Sequence, residues 1–189
     1  MIFTIMSKQL TAEQFKIETA TQADISTIGY VHLQSMLETY PNKQAGIDIS
    51  WIKNKLGFLA ESQGDEYRHQ TVLRAETDPD HTLYLVVRDT KGRVVGFFHC
   101  SRDEQQAKLE AIYLIEKARG KGIADRLMRR GLEFAGDLPI SLEVLDYNER
   151  AMRLYEKYGF EAIPHSHRLI RGKLQVFGMR RQPTKETET

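Results

Sequence analysis

The sequence predicts a single-domain α/β fold, and three features carry that expectation. Short runs rich in aliphatic and aromatic residues, such as T-L-Y-L-V-V-R at 82–88 and I-S-L-E-V-L at 140–145, alternate with stretches of helical period. One such run, at 109–115, gives way at Arg119-Gly120-Lys121-Gly122 to a turn, and a helix begins at Ile123. That helix keeps Ile123, Ala124, Leu127, Met128, Gly131, Leu132 and Ala135 on one stripe, with Arg126, Arg129, Arg130 and Glu133 facing water. Finally, 189 residues suffice for one good core and are short for two.

Taken in order, residues 1–15 read as a loose arm and residues 15–20 as a first strand. Thr21 followed by Asp24 resembles a capping box with Asp in place of Glu. Ile25, Ile28, Gly29, His32, Leu33, Met36 and Leu37 then keep helical spacing until Pro41 ends the helix. A loop at 42–50 leads to helices at about 51–62 and 65–77, the second stopped by Asp78-Pro79. Strands follow at 82–88 and 93–101, joined by D-T-K-G, where the glycine accepts positive φ. A polar turn at 102–105 precedes the 109–115 strand. Beyond the 123 helix come a loop at 136–139, a strand at 140–145 and a helix at 148–158 closed by Gly159. Strands at 160–163 and 174–179, with a loop at 164–172 between them, complete the domain at residue 181. A polar tail, 182–189, is expected to fray.

Composition narrows the function. Apolar residues make up 41% and charged residues 28% of the chain, an ordinary soluble balance, and the net charge of +1 argues against a dedicated nucleic-acid binder. Cys100 is the single cysteine, so no intrachain disulfide forms, which fits a reducing cytoplasm. Alternation along its strand makes Cys100 a small buried filler rather than a nucleophile. No apolar run approaches the roughly 20 residues that a membrane span needs, and M-I-F-T-I-M is too short for a signal h-region. Met6 is an alternative start. The six histidines are scattered, and His165-x-His167 has no nearby cysteine or paired acid, so no metal is expected.

Chemistry points to the 109–125 segment. A strand, a basic Gly-rich turn and a helix N-terminus together form an anion site, because the first-turn amides have no intrahelical partner and the helix dipole is positive there. A Walker loop would need G-x-x-x-x-G-K-S/T, and a dinucleotide fingerprint would need glycine where Asp125 stands. What is present is R-x-x-G-x-A, from Arg119 through Gly122 to Ala124. About twenty residues later comes V-L-D-Y-N-E-R-A-M-R-L-Y-E-K-Y-G-F, in which Asn148, Ala151, Leu154, Tyr155, Gly159 and Phe160 fit N-x-x-A-x-x-L-Y-x-x-x-G-F. The pair, in this order and separation, resembles the two signatures of the GNAT family of N-acetyltransferases, most clearly over 82–160.

The resemblance implies a mixed, mostly antiparallel central sheet flanked by helices, and transfer of an acetyl group from acetyl-CoA to a primary amine by direct attack in a ternary complex. It places the pyrophosphate on Arg119, Gly120, Lys121, Gly122, Ile123, Ala124 and Asp125, and the pantetheine arm beside Ile112, Tyr113 and Leu114, with Asn148 touching the arm or capping its helix. Leu114 N–H becomes the oxyanion donor and Tyr155 the general acid. For the base, Glu110 is expected to share a face with Ile112, and Glu143 stands on the next strand; either could instead be an ion-pair partner. His99 is an outsider for that role. Glu38, Tyr40, Trp51 and Tyr67 fall in the region that would line the amine pocket. The expected acceptor is a small-molecule amine, with a protein N-terminus, a non-catalytic acyl-CoA sensor and a homodimer left open.

Overall fold

The computed structural model describes residues 14–183. The arm expected over 1–15 and the tail over 182–189 fall mostly outside them. Phe15, however, belongs to the core: it is 2% exposed, and its carbonyl accepts from Arg126 Nη1 at 2.9 Å.

A twisted eight-stranded sheet divides the molecule. Its path is β1 (Lys16–Thr19), β2 (Thr82–Arg88), β3 (Val94–Arg102), β4 (Ala107–Leu114), β5 (Ile140–Leu145), β8 (Leu174–Arg181) and β6 (Glu161–Ala162), with β7 (Arg168–Ile170) also paired to β8. All these pairings are antiparallel except β4 with β5. Runs of valine, leucine and phenylalanine buried on both faces explain why β2 and β3 occupy the interior of the sheet, whereas β5 buries Ile140, Leu142 and Val144 on one face and leaves Glu143 open on the other.

Helices cover both faces. Helix α4 (Ile123–Ala135) and α5 (Glu149–Lys157) lie on one, where Ile123, Leu127 and Met128 pack with Phe98, Leu109, Leu142 and Tyr155. Gly131, mid-helix and costly there by about 1 kcal/mol relative to alanine, lets α4 settle on the sheet: a Cβ would lie 2.5 Å from Phe98 Cζ. On the other face, α1 (Ile25–Thr39) and α3 (Ser62–Thr77) bury Ile28, Val31, Val72 and Ala75 against Tyr84, Val86 and Phe97. Helix α2 (Ile49–Leu56) joins α1 over Leu145 and Val176. The capping pair at Thr21 forms, with Asp24 Oδ2 accepting from both Thr21 N–H (3.0 Å) and its hydroxyl (2.9 Å). Among the described residues, no helix is long and apolar enough to cross a membrane.

Two expectations change. The helix expected at 51–62 begins at Ile49, capped by Asp48 through Trp51 N–H at 2.7 Å, and tightens to a 3-10 turn over Gly57–Ala60. The loop expected at 164–172 contains β7: a three-residue connection, 171–173, folds β7 back on β8, with Arg171 and Gly172 at positive φ (51° and 78°) and Lys173 N–H donating to Ile170 O at 3.2 Å.

Candidate active site

The sheet opens at its one parallel seam among the described residues. Strands β4 and β5 pair over Ala107–Ile140, Lys108–Ser141 and Leu109–Leu142 only, and then diverge. Between them lies a cavity of about 420 Å³ bounded by β4, β5, α5, the α4 N-terminus and the end of α1. Such a volume suits a small-molecule site.

A bulge in β4 sets what this cleft receives. His99 pairs with Ala111 and Cys100 with Leu109, so Glu110 is the extra residue. Ala107 and Leu109 face α4 before the bulge; after it, Ile112 and Leu114 do, while Ala111 and Tyr113 turn to the α1 side. Hence Glu110 does not share a face with Ile112, contrary to the two-residue spacing, because the inserted residue shifts the alternation by one. Glu110 still lines the cavity, paired with Lys108 Nζ (2.8 Å) and accepting from Ser101 Oγ (3.2 Å).

Past the bulge, Ile115 N–H donates to Val95 O of β3 (3.0 Å), whereas Leu114 O accepts from Arg119 Nε (2.8 Å). Successive peptides of a strand address opposite edges, so Leu114 N–H points away from β3, into the cleft. Ile112 N–H shares that direction. With β5 gone from this edge, β4 presents a free ladder to an added extended chain.

At the cleft's far end the backbone turns through Gly120 (φ 70°) and Gly122 (φ 75°), left-handed conformations that glycine alone adopts freely. Gly122 is the N-cap of α4 and supplies no side-chain cap, so the first-turn amides stay open to an anion. Asp125 is turned aside: it pairs with Lys157 and accepts from Tyr158 Oη at 2.9 Å, and the Lys157 bond foremost holds its carboxyl below the usual range. Arg150 Nη2 lies 4.0 Å from where a Cβ on Gly120 would sit. A pyrophosphate therefore meets amides, a dipole and a guanidinium, and the donor set fits it.

Of the other expected residues, Arg119, Ala124 and Asn148 line the cavity, and Asn148 Oδ1 caps α5 through Ala151 N–H at 3.2 Å. Lys121 stands outside the lining, and the Ile123 side chain is buried in the core, leaving only its amide for a ligand. Tyr155 lines the cavity, buried beside Phe160, and burial raises its pKa well above that of an ordinary phenol. Glu143 also reaches the cavity but accepts two bonds from Arg168, Nε and Nη2 each at 2.6 Å, and this pairing lowers its pKa. A carboxylate so held is a weak base, and the ion-pair reading suits it. His99 lies on the α1 side, its ring 5.1 Å from Tyr84, with burial lowering its pKa to about 4.

At the α1 end of the cavity, Tyr40 lines the wall, its hydroxyl 2.8 Å from that of Tyr113. Trp51 packs under Lys173, Tyr67 is 69% exposed on α3, and Glu38 turns to Glu116 and Arg119; none of the three lines this cavity. Ser35, Thr39, Arg150, Arg153 and Lys157 do line it and were not anticipated. The last three recur at i, i+3 and i+7 along α5, a spacing that marks one helix face.

Comparisons with known proteins agree with this geometry. A family model described as the acetyltransferase (GNAT) family matches residues 48–160. An uncharacterised N-acetyltransferase of Mycobacterium tuberculosis is 36% identical over 89 residues, 45% of this chain and 56% of the relative. A mycothiol acetyltransferase of Acidimicrobium ferrooxidans is 31% identical over 135 residues, 64% of this chain and 42% of the relative. The chain thus spans about half the length of the curated relatives it matches. The PaiA N-acetyltransferase of Thermoplasma acidophilum, solved in complex with coenzyme A, superposes with a TM-score of 0.72 at 20% identity, covering 89% of this chain and 98% of that one. YncA of Salmonella typhimurium, a putative acetyltransferase solved with acetyl-CoA, gives 0.66 at 17%, covering 92% and 96%. At such identities the two structures speak for the fold. The family model spans more than half of the chain, and by that match the chain belongs to the acetyltransferase (GNAT) family.

Proposed function

We propose that this chain transfers an acetyl group from acetyl-CoA to the amine of a small molecule, by direct attack within the β4–β5 cleft. The observation that carries the reading is the opening of the parallel seam after Leu109–Leu142, which leaves the Leu114 amide facing a cavity that ends in an uncapped helix N-terminus. When bound, acetyl-CoA supplies an activated carbonyl and a thiolate leaving group.

The chain's own residues do the rest. The α4 amides and Arg150 hold the pyrophosphate, and the free edge of β4 at Ile112 and Leu114 aligns the arm. Leu114 N–H donates to the carbonyl oxygen as it gains charge, from a fixed position in a partly dry cleft. A primary amine with a pKa near 10.4 must lose a proton to attack at pH 7, at a cost of about 4–5 kcal/mol. Glu110, open to solvent at the cavity wall, takes that proton directly or through water; Glu143 supports Arg168 instead. Tyr155 stays protonated because it is buried, and its hydroxyl gives a proton to the departing sulfur. The C–N bond forms as the C–S bond breaks; the ammonium's first proton leaves through Glu110 to solvent, and the nitrogen's second proton, shed on acylation, replaces the one Tyr155 gave to sulfur, so the products are amide, free thiol and one released proton.

A small acceptor is favoured because the cavity is about 420 Å³ and is walled by Tyr40, Thr39 and Ser35 on α1 and by Glu143 on β5, which Arg168 of β7 holds. The Acidimicrobium relative, named for mycothiol, acts in name on a small molecule too. The test is thiol release from acetyl-CoA against a panel of small amines and short peptides. Turnover with a small amine is expected; turnover confined to peptides, or binding without turnover, would replace the acceptor class or the catalytic reading respectively.

A further inference from the structure

Glu38 sits in the last turn of α1, where the negative helix end disfavours a carboxylate, yet it is fully engaged across the molecule. Its Oε2 accepts from Glu116 N–H at 2.7 Å and from Arg119 Nη2 at 2.6 Å, and its Oε1 accepts from Gln34 Nε2 at 3.0 Å. Glu116 opens the 3-10 turn Glu116–Ala118, so Glu38 caps that turn from another element. Arg119 passes the constraint on, since its Nε donates to Leu114 O at 2.8 Å. Both charged side chains are largely buried, at 15% and 18% exposure. One carboxylate on α1 therefore fixes both ends of the segment that runs from the Leu114 peptide to the Gly120–Gly122 turn.

We propose that Glu38 is a positioning residue: through Glu116 N–H and Arg119 it sets the Leu114 amide and the pyrophosphate loop in register. The role rests on the acetyl-CoA reading above. Glu38 touches neither the cavity nor a reacting atom, and it acts through groups that do. The next two residues, Thr39 and Tyr40, do line the cavity, so a single stretch of α1 holds the donor loop and walls the acceptor end.

Glu38→Gln keeps size and removes the charge that two donors share. Bonds to a charged acceptor of this kind carry enough energy to predict acetyl-CoA binding about tenfold weaker or more, with kcat reduced as well. Glu38→Asp, which keeps the charge but withdraws the oxygens by one methylene, should show the same pattern. Because part of its effect runs through Arg119, the loss in Glu38→Gln/Arg119→Gln should be clearly smaller than the sum of the two single losses. In the coenzyme-free protein, amide exchange at Glu116 should quicken in Glu38→Gln. A variant that binds and turns over like wild type while only its melting temperature falls would overturn the role, as would losses that add independently in the double variant. Unchanged exchange at Glu116 would overturn the contact itself, without reference to any coenzyme. A wild-type protein that fails to bind acetyl-CoA would overturn the parent reading and this role with it.

Discussion

Tyr155 and Phe160 pack with ring centroids 5.9 Å apart and a tilt of 55° in the wall of the cleft, so Tyr155 is at once a core residue and a cavity residue. The two roles separate by substitution. Tyr155→Phe keeps the ring and removes the hydroxyl, so the melting temperature and acetyl-CoA affinity should hardly move. A positioned general acid contributes about 10²–10⁴-fold to rate, and that loss should fall on kcat. Thiol release with an accepted amine, paired with a melt, checks it; a kcat within about threefold of wild type, far short of that range, would leave Tyr155 as packing only. At the same scale, Glu143 and Glu110 illustrate how partners decide a carboxylate's chemistry. Two guanidinium bonds tie Glu143 down, whereas Glu110 has a lysine and a serine hydroxyl at the cavity edge.

Two elements set the site, β4 and α1. The bulge at Glu110 turns Ile112 and Leu114 toward α4 and α5, and the loss of pairing with β5 exposes their amides. Helix α1 supplies the opposite wall, and its buried face carries a polar group: His32, packed 4.3 Å from the Tyr113 ring and 5.2 Å from that of Phe97. Its Nε2 is buried without a hydrogen-bond partner among the described residues. Burial, aided by the Arg68 charge, lowers the His32 pKa to about 3. In the unfolded chain the ring takes a proton near pH 6.5; in the folded chain it stays neutral. Below pH 6.5 the unfolded state therefore binds more protons, and stability falls with pH until about pH 3, where the folded ring also charges. From pH 7 to pH 5 this amounts to about 2 kcal/mol. Denaturant melts should show that loss in wild type and a smaller one in His32→Gln, with the slope from His99 common to both. Equal slopes would mean that His32 is hydrated in the native state.

At the scale of the whole molecule, the order of elements was legible because hydrophobic period and punctuation agree along the chain. Strands 82–88 and 140–145 and the helix at Ile123 stand where the pattern places them. Local turn chemistry made the Gly120–Gly122 turn legible too. The bulge was not, since one inserted residue leaves no mark in composition and reverses every later inference of face. Pairing hid β7, whose three residues are a strand only because β8 lies beside them. The partners of Glu143 and Glu38 were hidden for a similar reason: Arg168 and Arg119 lie 25 and 81 residues away. Motif spacing locates the turn and helix N-terminus proposed to hold the pyrophosphate, and tertiary contact decides which charges lie free around it. Under the proposed function, the Gly122 turn and the α4 N-terminus bind acetyl-CoA. Calorimetric titration of acetyl-CoA into wild type and Gly122→Glu tests it most directly, because the substitution adds bulk and negative charge at an anion site entered at positive φ. Wild type should bind, and Gly122→Glu should bind at least about tenfold more weakly while still melting cooperatively; equal affinity in the two proteins would rule out donor binding at this turn.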